Sequence, residues 1–265
     1  MNNVLVFDIE TIPDLDGGRR LHGLDGLSDQ DTASAMFNLR RQENGTEFLR
    51  LPLHKVVAIS IVLREYGGAI KVLSLGKESS SEKELIELFF KGIEHYQPQL
   101  VSWNGSGFDL PVLNYRGMVH RVSAPAFWET GASNNSFKYD NYINRFHERH
   151  LDVMDIVSLY QGRAVAPLDQ VATLLGFPGK MGMDGSKVFD AVQTGDLKSV
   201  RDYCETDVLN TYLVFLRFQL LRGLLDQVGY DQEEERLKQY LVEEGAQPDK
   251  AHFKQFLDHW HHGKG

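Results

Sequence analysis

The chain has 265 residues, of which 42% are apolar, so it has the composition of one large globular domain, alone or with appendages, and not of a disordered chain. Its net charge of −9 disfavours a protein that coats DNA non-specifically, but it is compatible with a nucleic-acid enzyme whose acidic site binds metal. The single cysteine, Cys204, excludes an internal disulfide and a zinc site built from cysteines.

The first predicted strand covers residues 4–8 and leads into a pair of acidic side chains. The run Val4-Leu5-Val6-Phe7 is apolar throughout, which is typical of a buried strand. Asp8 and Glu10 are two residues apart, so their side chains point to the same face of the strand. Neighbouring like charges are costly, and a hard divalent cation with oxygen ligands would neutralise them. This end of the strand is therefore a candidate metal site.

A loop is predicted over residues 14–30, which are rich in glycine and aspartate. Ser28 is expected to cap a helix over about 30–42. Arg40 and Arg41 near the end of that helix are candidate phosphate contacts, although a solvated helix end is the more common use of such a pair.

Two further strands are predicted over 55–63 and 69–75, and the glycine pair in Tyr66-Gly67-Gly68 predicts a hairpin between them. A helix over about 79–95 then leads to a fourth strand at 100–103. This helix is long enough to serve as the crossover between two parallel strands.

The segment after the fourth strand, Asn104-Gly105-Ser106-Gly107-Phe108-Asp109, predicts a tight turn because it contains two glycines. Asp109 then begins a helix that continues to about Met118. An aspartate in this position is either a helix N-cap, which is its frequent use, or part of an acidic site.

Residues 122–150 are irregular and combine aromatic with basic side chains. Such a combination can stack nucleobases and hold phosphates. A lid, or a small core under a long loop, would use the same residue types, so both interpretations stay open. The residues concerned are Phe127, Trp128, Phe137, Lys138, Tyr139, Tyr142, Arg145, Phe146, His147, Arg149 and His150.

From His150 onward the pattern is helical. We expect residues 1–222 to form one domain and residues 223–265 to form a C-terminal helical extension packed on it. No apolar run approaches the ~20 residues of a membrane span, and no signal-peptide pattern precedes the first strand, so we expect a cytoplasmic protein without membrane contact. The predicted helices cover about 152–160, 167–175, 186–193, 197–222, 230–243 and 249–261.

The longest of these helices contains Tyr203 and Asp207, which share a face because they are four residues apart. Taken alone, such a pair is more often a core tyrosine and a solvated acid. The set of acidic positions is more specific, because ligand sites in open α/β sheets gather at the carboxyl ends of strands. If the first and fourth strands are adjacent and parallel, Asp8, Glu10 and Asp109 converge, and the helix can add Asp207.

Asp8-Ile9-Glu10, Asn104-x-x-x-Phe108-Asp109 and Tyr203-x-x-x-Asp207 together resemble the three motifs of the DEDD 3′–5′ exonucleases. The tyrosine in the last motif resembles that of the tyrosine subgroup. More closely, the chain is similar to the predicted 3′–5′ exonucleases related to the exonuclease domain of family B DNA polymerases. Three further stretches carry this closer resemblance, at 101–111, 150–155 and 176–186.

The resemblance implies an α/β fold of the ribonuclease H-like type, a mixed sheet flanked by helices, with additional C-terminal helices. It also implies metal-dependent hydrolysis of phosphodiester bonds at the 3′ end of single-stranded nucleic acid, with DNA as the expected substrate. Two alternatives stay open: trimming of RNA or short oligonucleotides by the same site, and a non-catalytic module that binds nucleic acid.

The resemblance further implies that Asp8, Glu10, Asp109 and Asp207 hold two cations, directly or through water. Mg²⁺ is the natural occupant of such hard oxygen ligands and Mn²⁺ is a substitute. Tyr203 is expected to orient the attacking water, because an unperturbed phenol with a pKa near 10 is a poor base beside a metal that already acidifies water.

Other candidate residues each have an ordinary structural alternative. Asn104 and Phe108 are candidate contacts to the terminal nucleotide, but Asn104 could instead fix the turn and Phe108 could belong to the core. Asp152 could support the site indirectly or simply cap a helix. Lys180 and Lys187 are candidate phosphate contacts or surface lysines. Metal binding or a solvated helix end would explain His259, His261 and His262.

Overall fold

A mixed five-stranded sheet forms the centre of the protein, as described by a computed structural model for residues 2–262, with side chains described through residue 260. The strands are β1 (Val4–Pro13), β2 (His54–Arg64), β3 (Ile70–Ser74), β4 (Gln99–Ser102) and β5 (His150–Asp152). They lie side by side in the order β3-β2-β1-β4-β5. β1 is antiparallel to β2 and parallel to β4, so the predicted neighbours are confirmed.

Ten α-helices in the described residues surround this sheet, and most begin and end close to their predicted bounds. Together with the mixed sheet they confirm the predicted α/β fold of the ribonuclease H-like type. The helices are α1 (Leu15–His22), α2 (Asp29–Asn44), α3 (Glu82–Tyr96), α4 (Asp109–Val119), α5 (Val153–Val157), α6 (Leu168–Leu174), α7 (Val188–Gln193), α8 (Leu197–Leu221), α9 (Gln227–Glu244) and α10 (Ala251–His262).

The predicted loop over 14–30 is wrong in its first half, because α1 lies there. Its glycines serve a helix instead of a loop. Gly18 allows a close approach of Met36, since a Cβ atom at position 18 would lie 2.2 Å from the Met36 sulfur. Gly23 ends the helix in the left-handed conformation that favours glycine.

The helical pattern predicted from His150 onward is wrong at its start, because His150–Asp152 forms β5. This strand pairs parallel with β4, with Leu100 opposite His150. Three residues are too few for a hydrophobic period to develop, so hydrogen bonding to β4 decides the conformation. The first strand is also longer than predicted, since β1 continues to Pro13.

Helices cover both faces of the sheet. On one face, Phe89 of α3 and Leu113 of α4 pack in a core with Phe7 of β1. On the other face, the middle of α8 packs in a second core with β1 and with the C-terminal helices. α8 thus runs along the strand that contains Asp8 and Glu10. Every helix of the described residues is too short or too polar to serve as a membrane span.

Candidate active site

The middle of β1, just beyond its parallel pairing with β4, carries the first two acidic side chains of the site. Asp8 and Glu10 point to the same side of the strand, and Glu10 is buried. Their carboxylate oxygens and the Cys204 sulfur all lie within 4.8 Å of one another. The pairing with β2 shifts register directly after Glu10, so a β-bulge lies beside the site before the pairing continues to Pro13.

Asp109 reaches this strand from the first turn of α4. The turn before it begins with Asn104, a non-glycine residue in the left-handed conformation with φ of 68°. The Asn104 carbonyl accepts hydrogen bonds from the N–H groups of Gly107 and Phe108, both at 3.0 Å. The buried Asp109 then accepts a hydrogen bond from the Ile9 N–H at 3.1 Å, which ties it to the strand between Asp8 and Glu10.

Asp152 at the end of β5 holds the same turn in place. Its carboxylate accepts hydrogen bonds from the N–H groups of Asn104 at 2.9 Å and Ser106 at 2.8 Å. It also caps α5 by accepting from Asp155 N–H at 3.4 Å. Both alternatives considered for Asp152 are therefore realised, since one side chain caps a helix and supports the turn that leads to Asp109.

α8 supplies the remaining groups. Tyr203 donates a hydrogen bond to Asp207, and both side chains interact electrostatically with Glu10. Cys204 lies against β1, with its sulfur 3.5 Å from the Asp8 carbonyl oxygen and 3.6 Å from Asp8 Oδ2. Sequence reasoning missed Cys204 as a neighbour of the site. Its position three residues before Asp207 on the same helix was the available signal.

Burial is the main cause that raises the pKa of Asp8 and of Glu10 well above the usual range. The charges of Asp109 and Asp207 raise both pKa values further. Four carboxyl groups from β1, α4 and α8 therefore share one low-dielectric region, where their mutual repulsion is large.

The other two carboxyl groups also hold protons more tightly than usual. Burial raises the pKa of Asp109 to about 7, although hydrogen bonds from backbone N–H groups act in the opposite direction. Burial raises the pKa of Asp207 to about 6, against the hydrogen bond from Tyr203 and the charge of Lys180. The donor set consists of hard oxygens with uncompensated negative charge, so it fits divalent cations, whose binding would displace these protons.

The Tyr203 phenol remains protonated over the whole pH range in which a protein works. Burial raises its pKa most, and the charges of Asp207, Glu10 and Asp8 raise it further. A phenol in this environment can donate a hydrogen bond but does not act as a base at neutral pH.

Lys180 is the cation beside the acidic groups, because its charge lowers the pKa of Glu10 and of Asp207. Its backbone is fixed by two contacts. The Lys180 N–H donates to Asp169 at 2.6 Å, and the side chain of Asn210 exchanges hydrogen bonds with the Gly179 backbone at 3.1 and 2.8 Å. Lys180, Tyr203 and Asp207 line the same small pocket. Lys187, by contrast, is exposed and lies 3.8 Å from Asp184.

The two candidate nucleotide contacts lie on either side of the turn. Asn104 lines an open cavity of about 540 Å³. The Phe108 ring packs partly in the core and partly against Phe48 and His54, at centroid distances of 5.7 and 5.1 Å. Phe108 therefore belongs partly to the core and partly to the surface next to Asp109.

Three weaker candidates lie in ordinary surroundings. Arg40 pairs with Glu43 and Arg41 pairs with Glu47, so both arginines belong to exposed ion pairs. The Nδ1 atom of His259 lies 2.7 Å from the Gln255 carbonyl oxygen. The side chains of the other two C-terminal histidines in that prediction, 261 and 262, lie outside the described residues.

A mixed sheet has two carboxylates on β1 and a third in the first turn of α4, and α8 adds an acid and a tyrosine beside them. This arrangement defines a ribonuclease H-like nuclease domain. The family model of the predicted 3′–5′ exonucleases related to the exonuclease domain of PolB matches residues 46–260. The chain belongs to this family. A search of the curated proteins gives no match.

The region that the family model matches differs in two respects from the part of the chain that contains the sequence motifs. It begins at residue 46, so it omits β1 with Asp8 and Glu10, which join the site through the tertiary structure. It continues to residue 260 and therefore includes α9 and most of α10, where the sequence offered no motif. The family thus comprises the C-terminal helices as well as the region with the acidic motifs.

Proposed function

We propose that this protein is a metal-dependent 3′–5′ exonuclease that removes nucleotides from the 3′ ends of single-stranded DNA. The observation that supports it most is the convergence of Asp8, Glu10, Asp109 and Asp207 from distant parts of the chain, with Tyr203 beside them. Membership of a family of predicted 3′–5′ exonucleases supports the direction of digestion.

The four carboxylates would hold two divalent cations, Mg²⁺ or Mn²⁺. When bound there, such cations would acidify the attacking water and stabilise the negative charge on the phosphate and the leaving oxygen. Glu10 and Asp109 are buried and Asp8 and Asp207 are half-buried beside them, so a cation gains more from these carboxylates than it would at a solvated surface.

The remaining residues position the reactants. The Tyr203 hydroxyl is protonated and donates its hydrogen bond to Asp207, so its oxygen can accept a hydrogen bond from the attacking water and hold it in one orientation. Lys180 approaches the same carboxylates and would bind a non-bridging phosphate oxygen. Asn104 would hydrogen-bond the terminal nucleotide, and Phe108 would contact its sugar or base.

The preference for DNA rests on the relation of the family to a DNA polymerase exonuclease domain. Trimming of RNA or of short oligonucleotides would use the same groups, because none of the site residues above is specific for a 2′-hydroxyl. Ribo- and deoxyribo-oligonucleotides of one sequence, present together in one reaction, would measure this preference directly.

The proposal is tested with Asp8→Ala and Asp207→Ala on oligonucleotides labelled at the 5′ or the 3′ end, with Mg²⁺ or Mn²⁺. Each variant should lose at least about 100-fold in rate, because it removes a metal ligand. Wild type should give a ladder from the 5′ label and single nucleotides from the 3′ label. Asp25→Ala, at an exposed aspartate in the loop before α2, is the matched control. Full activity in either site variant would contradict the assignment.

A further inference from the structure

The cavity beside the Asn104–Asp109 turn extends the candidate active site along the protein surface. One wall is the turn itself, with Asn104, Ser106 and Gly107. Other lining residues come from the irregular segment 122–150, among them Trp128, Ile143 and Arg145. The cavity is open and measures about 540 Å³, so it can accept a planar group that reaches it from the end of the strand.

The aromatic side chains of segment 122–150 divide into two sets. Phe127, Phe137 and Tyr142 are buried and form part of the core, as a satellite core under a long loop would require. Trp128 and Phe146 instead expose 53% and 71% of their surface. The two interpretations that the sequence left open therefore apply to different residues of the same segment.

Arg145 joins the exposed aromatic groups into one surface. Its guanidinium lies 5.8 Å from the centroid of the Phe146 ring and 4.8 Å from that of the Tyr160 ring. Tyr160 is held there by an unusual backbone, since both Leu159 and Tyr160 adopt left-handed φ values, 52° and 61°. We call Trp128, Ile143, Arg145, Phe146 and Tyr160 the aromatic surface.

The polar groups of the cavity suit a nucleobase better than an ion. Burial lowers the pKa of His150 to about 4, so this ring is neutral at pH 7. The negative charge of Asp155 is balanced by Arg145 at 2.9 Å.

We propose that the aromatic surface and this cavity bind the unpaired bases on the 5′ side of the 3′-terminal nucleotide. The proposal rests on the proposed exonuclease function, because it takes the strand's 3′ end to lie at the four carboxylates. Continuity supports it, since the turn that leads to Asp109 is also a wall of the cavity. Exposed aromatic rings stack on bases of any sequence, whereas a duplex keeps its base faces covered.

The first test compares a single-stranded DNA of about 12 nucleotides with a dinucleotide, which is too short to reach the aromatic surface. Trp128→Ala and Phe146→Ala should each raise KM for the longer strand about tenfold, the loss expected for one stacked base. Their effect on the dinucleotide should be several-fold smaller, and kcat should change little. Equal losses on both substrates, or no loss on the longer one, would overturn the proposal.

The matched control is Tyr66→Ala. Tyr66 is 77% exposed and follows β2 at the end of the sheet opposite Asp8 and Glu10. This variant should resemble wild type on both substrates. Unchanged thermal unfolding of all three variants would show that the losses come from binding and not from folding.

Binding is measured separately from cleavage, by the fluorescence anisotropy of a labelled strand of about 12 nucleotides with EDTA present. Trp128→Ala and Phe146→Ala should weaken binding of the single strand about tenfold. A blunt duplex should bind wild type at least as weakly as the single strand binds these variants. If wild type cleaves no substrate, the exonuclease function fails, while the aromatic surface is still judged by this binding. Equal affinity of both variants and wild type for the single strand would contradict it.

Discussion

Asp109 shows how one side chain links two distant parts of the chain. Its carboxylate accepts a hydrogen bond from the Ile9 N–H, so the turn after β4 is fixed against β1. The acidic residues and the tyrosine of the candidate site were predicted from their motifs, but the contacts that position them were not. Asp152 supports the turn, and Cys204 lies beside Asp8. Both contacts join elements that become neighbours only after folding.

The metal-free protein should lose stability as pH rises from about 4 to about 7. The pKa of Asp109 is about 7 when folded, against an ordinary value of 3.8, so the folded chain binds more protons in this range. The contribution of Asp109 is therefore full below about pH 4 and is lost as the pH rises through about 7, a loss on the order of 4 kcal/mol. Urea unfolding with EDTA measures this fall.

Added Mg²⁺ should reduce the same loss, because the cation binds the deprotonated carboxylates of the folded state. Asp109→Asn is the matched variant, since it removes the titrating group and should give a shallower fall. An unchanged slope in Asp109→Asn would contradict the assignment of this titration to Asp109.

Tyr203→Phe should lower kcat about 100-fold, because it removes the hydroxyl that orients the attacking water and its hydrogen bond to Asp207. Affinity for Mn²⁺ should change little, since the four carboxylates remain. The loss should be the same at every pH tested, because the phenol stays protonated throughout. A loss that grows with pH would instead indicate a base. Tyr66→Phe at the exposed hairpin is the control.

α8 serves two purposes on two of its faces. Tyr203 and Asp207 face the candidate active site, while the buried Glu205 faces β3 and α10. Glu205 accepts hydrogen bonds from the Ser74 N–H at 2.8 Å and from Lys250 at 2.8 Å, and its Oε2 lies 2.8 Å from His252 Nε2. The helix that contains the site residues is therefore fixed by the C-terminal helices.

Glu205→Gln should lower the free energy of unfolding by about 3 kcal/mol at pH 7. Burial raises the pKa of Glu205, but the contacts with His252 and Lys250 outweigh it and lower the pKa to about 2, against an ordinary value of 4.5. The unfolded chain therefore takes up the proton first. The stabilisation is full above about pH 4.5 and disappears as pH falls through 2.

Chemical denaturation of wild type and Glu205→Gln at several pH values measures this difference. The gap between them should close as the pH falls below about 4.5. Glu243→Gln, at an exposed position of α9, should match wild type. A gap that stays constant down to about pH 2 would show that the charge of Glu205 is not its source.

At the scale of the whole molecule, the C-terminal helices share a core with the sheet. Phe253, Phe256 and Trp260 of α10 are fully buried in the same cluster as Val4 and Val62. A buried ion pair adds to this contact, since Arg64 of β2 lies 2.6 Å from Glu233 of α9. We propose that residues 223–265 pack on the 1–222 domain as an extension that it requires.

Truncation after residue 222 should abolish cooperative unfolding. Burial of one large aromatic side chain contributes about 2–3 kcal/mol, and the three from α10 alone approach the total stability of an ordinary domain. Circular dichroism melting of the 1–222 chain, compared with the full chain, measures the effect. A truncated protein with the melting temperature of the full chain would contradict the proposed dependence.

The sequence by itself determined the strand, the turn and the helix face that carry the acidic groups of the candidate site, because these follow from short-range spacing and side-chain chemistry. Only the tertiary structure decided how they meet. β5 forms because it pairs with β4, and α1 forms where glycines suggested a loop. Lys180 approaches Glu10 because the Asn210 side chain holds the backbone of the neighbouring Gly179. Such contacts join residues far apart in the chain, and no local pattern records the hydrogen bonds and packing that select them.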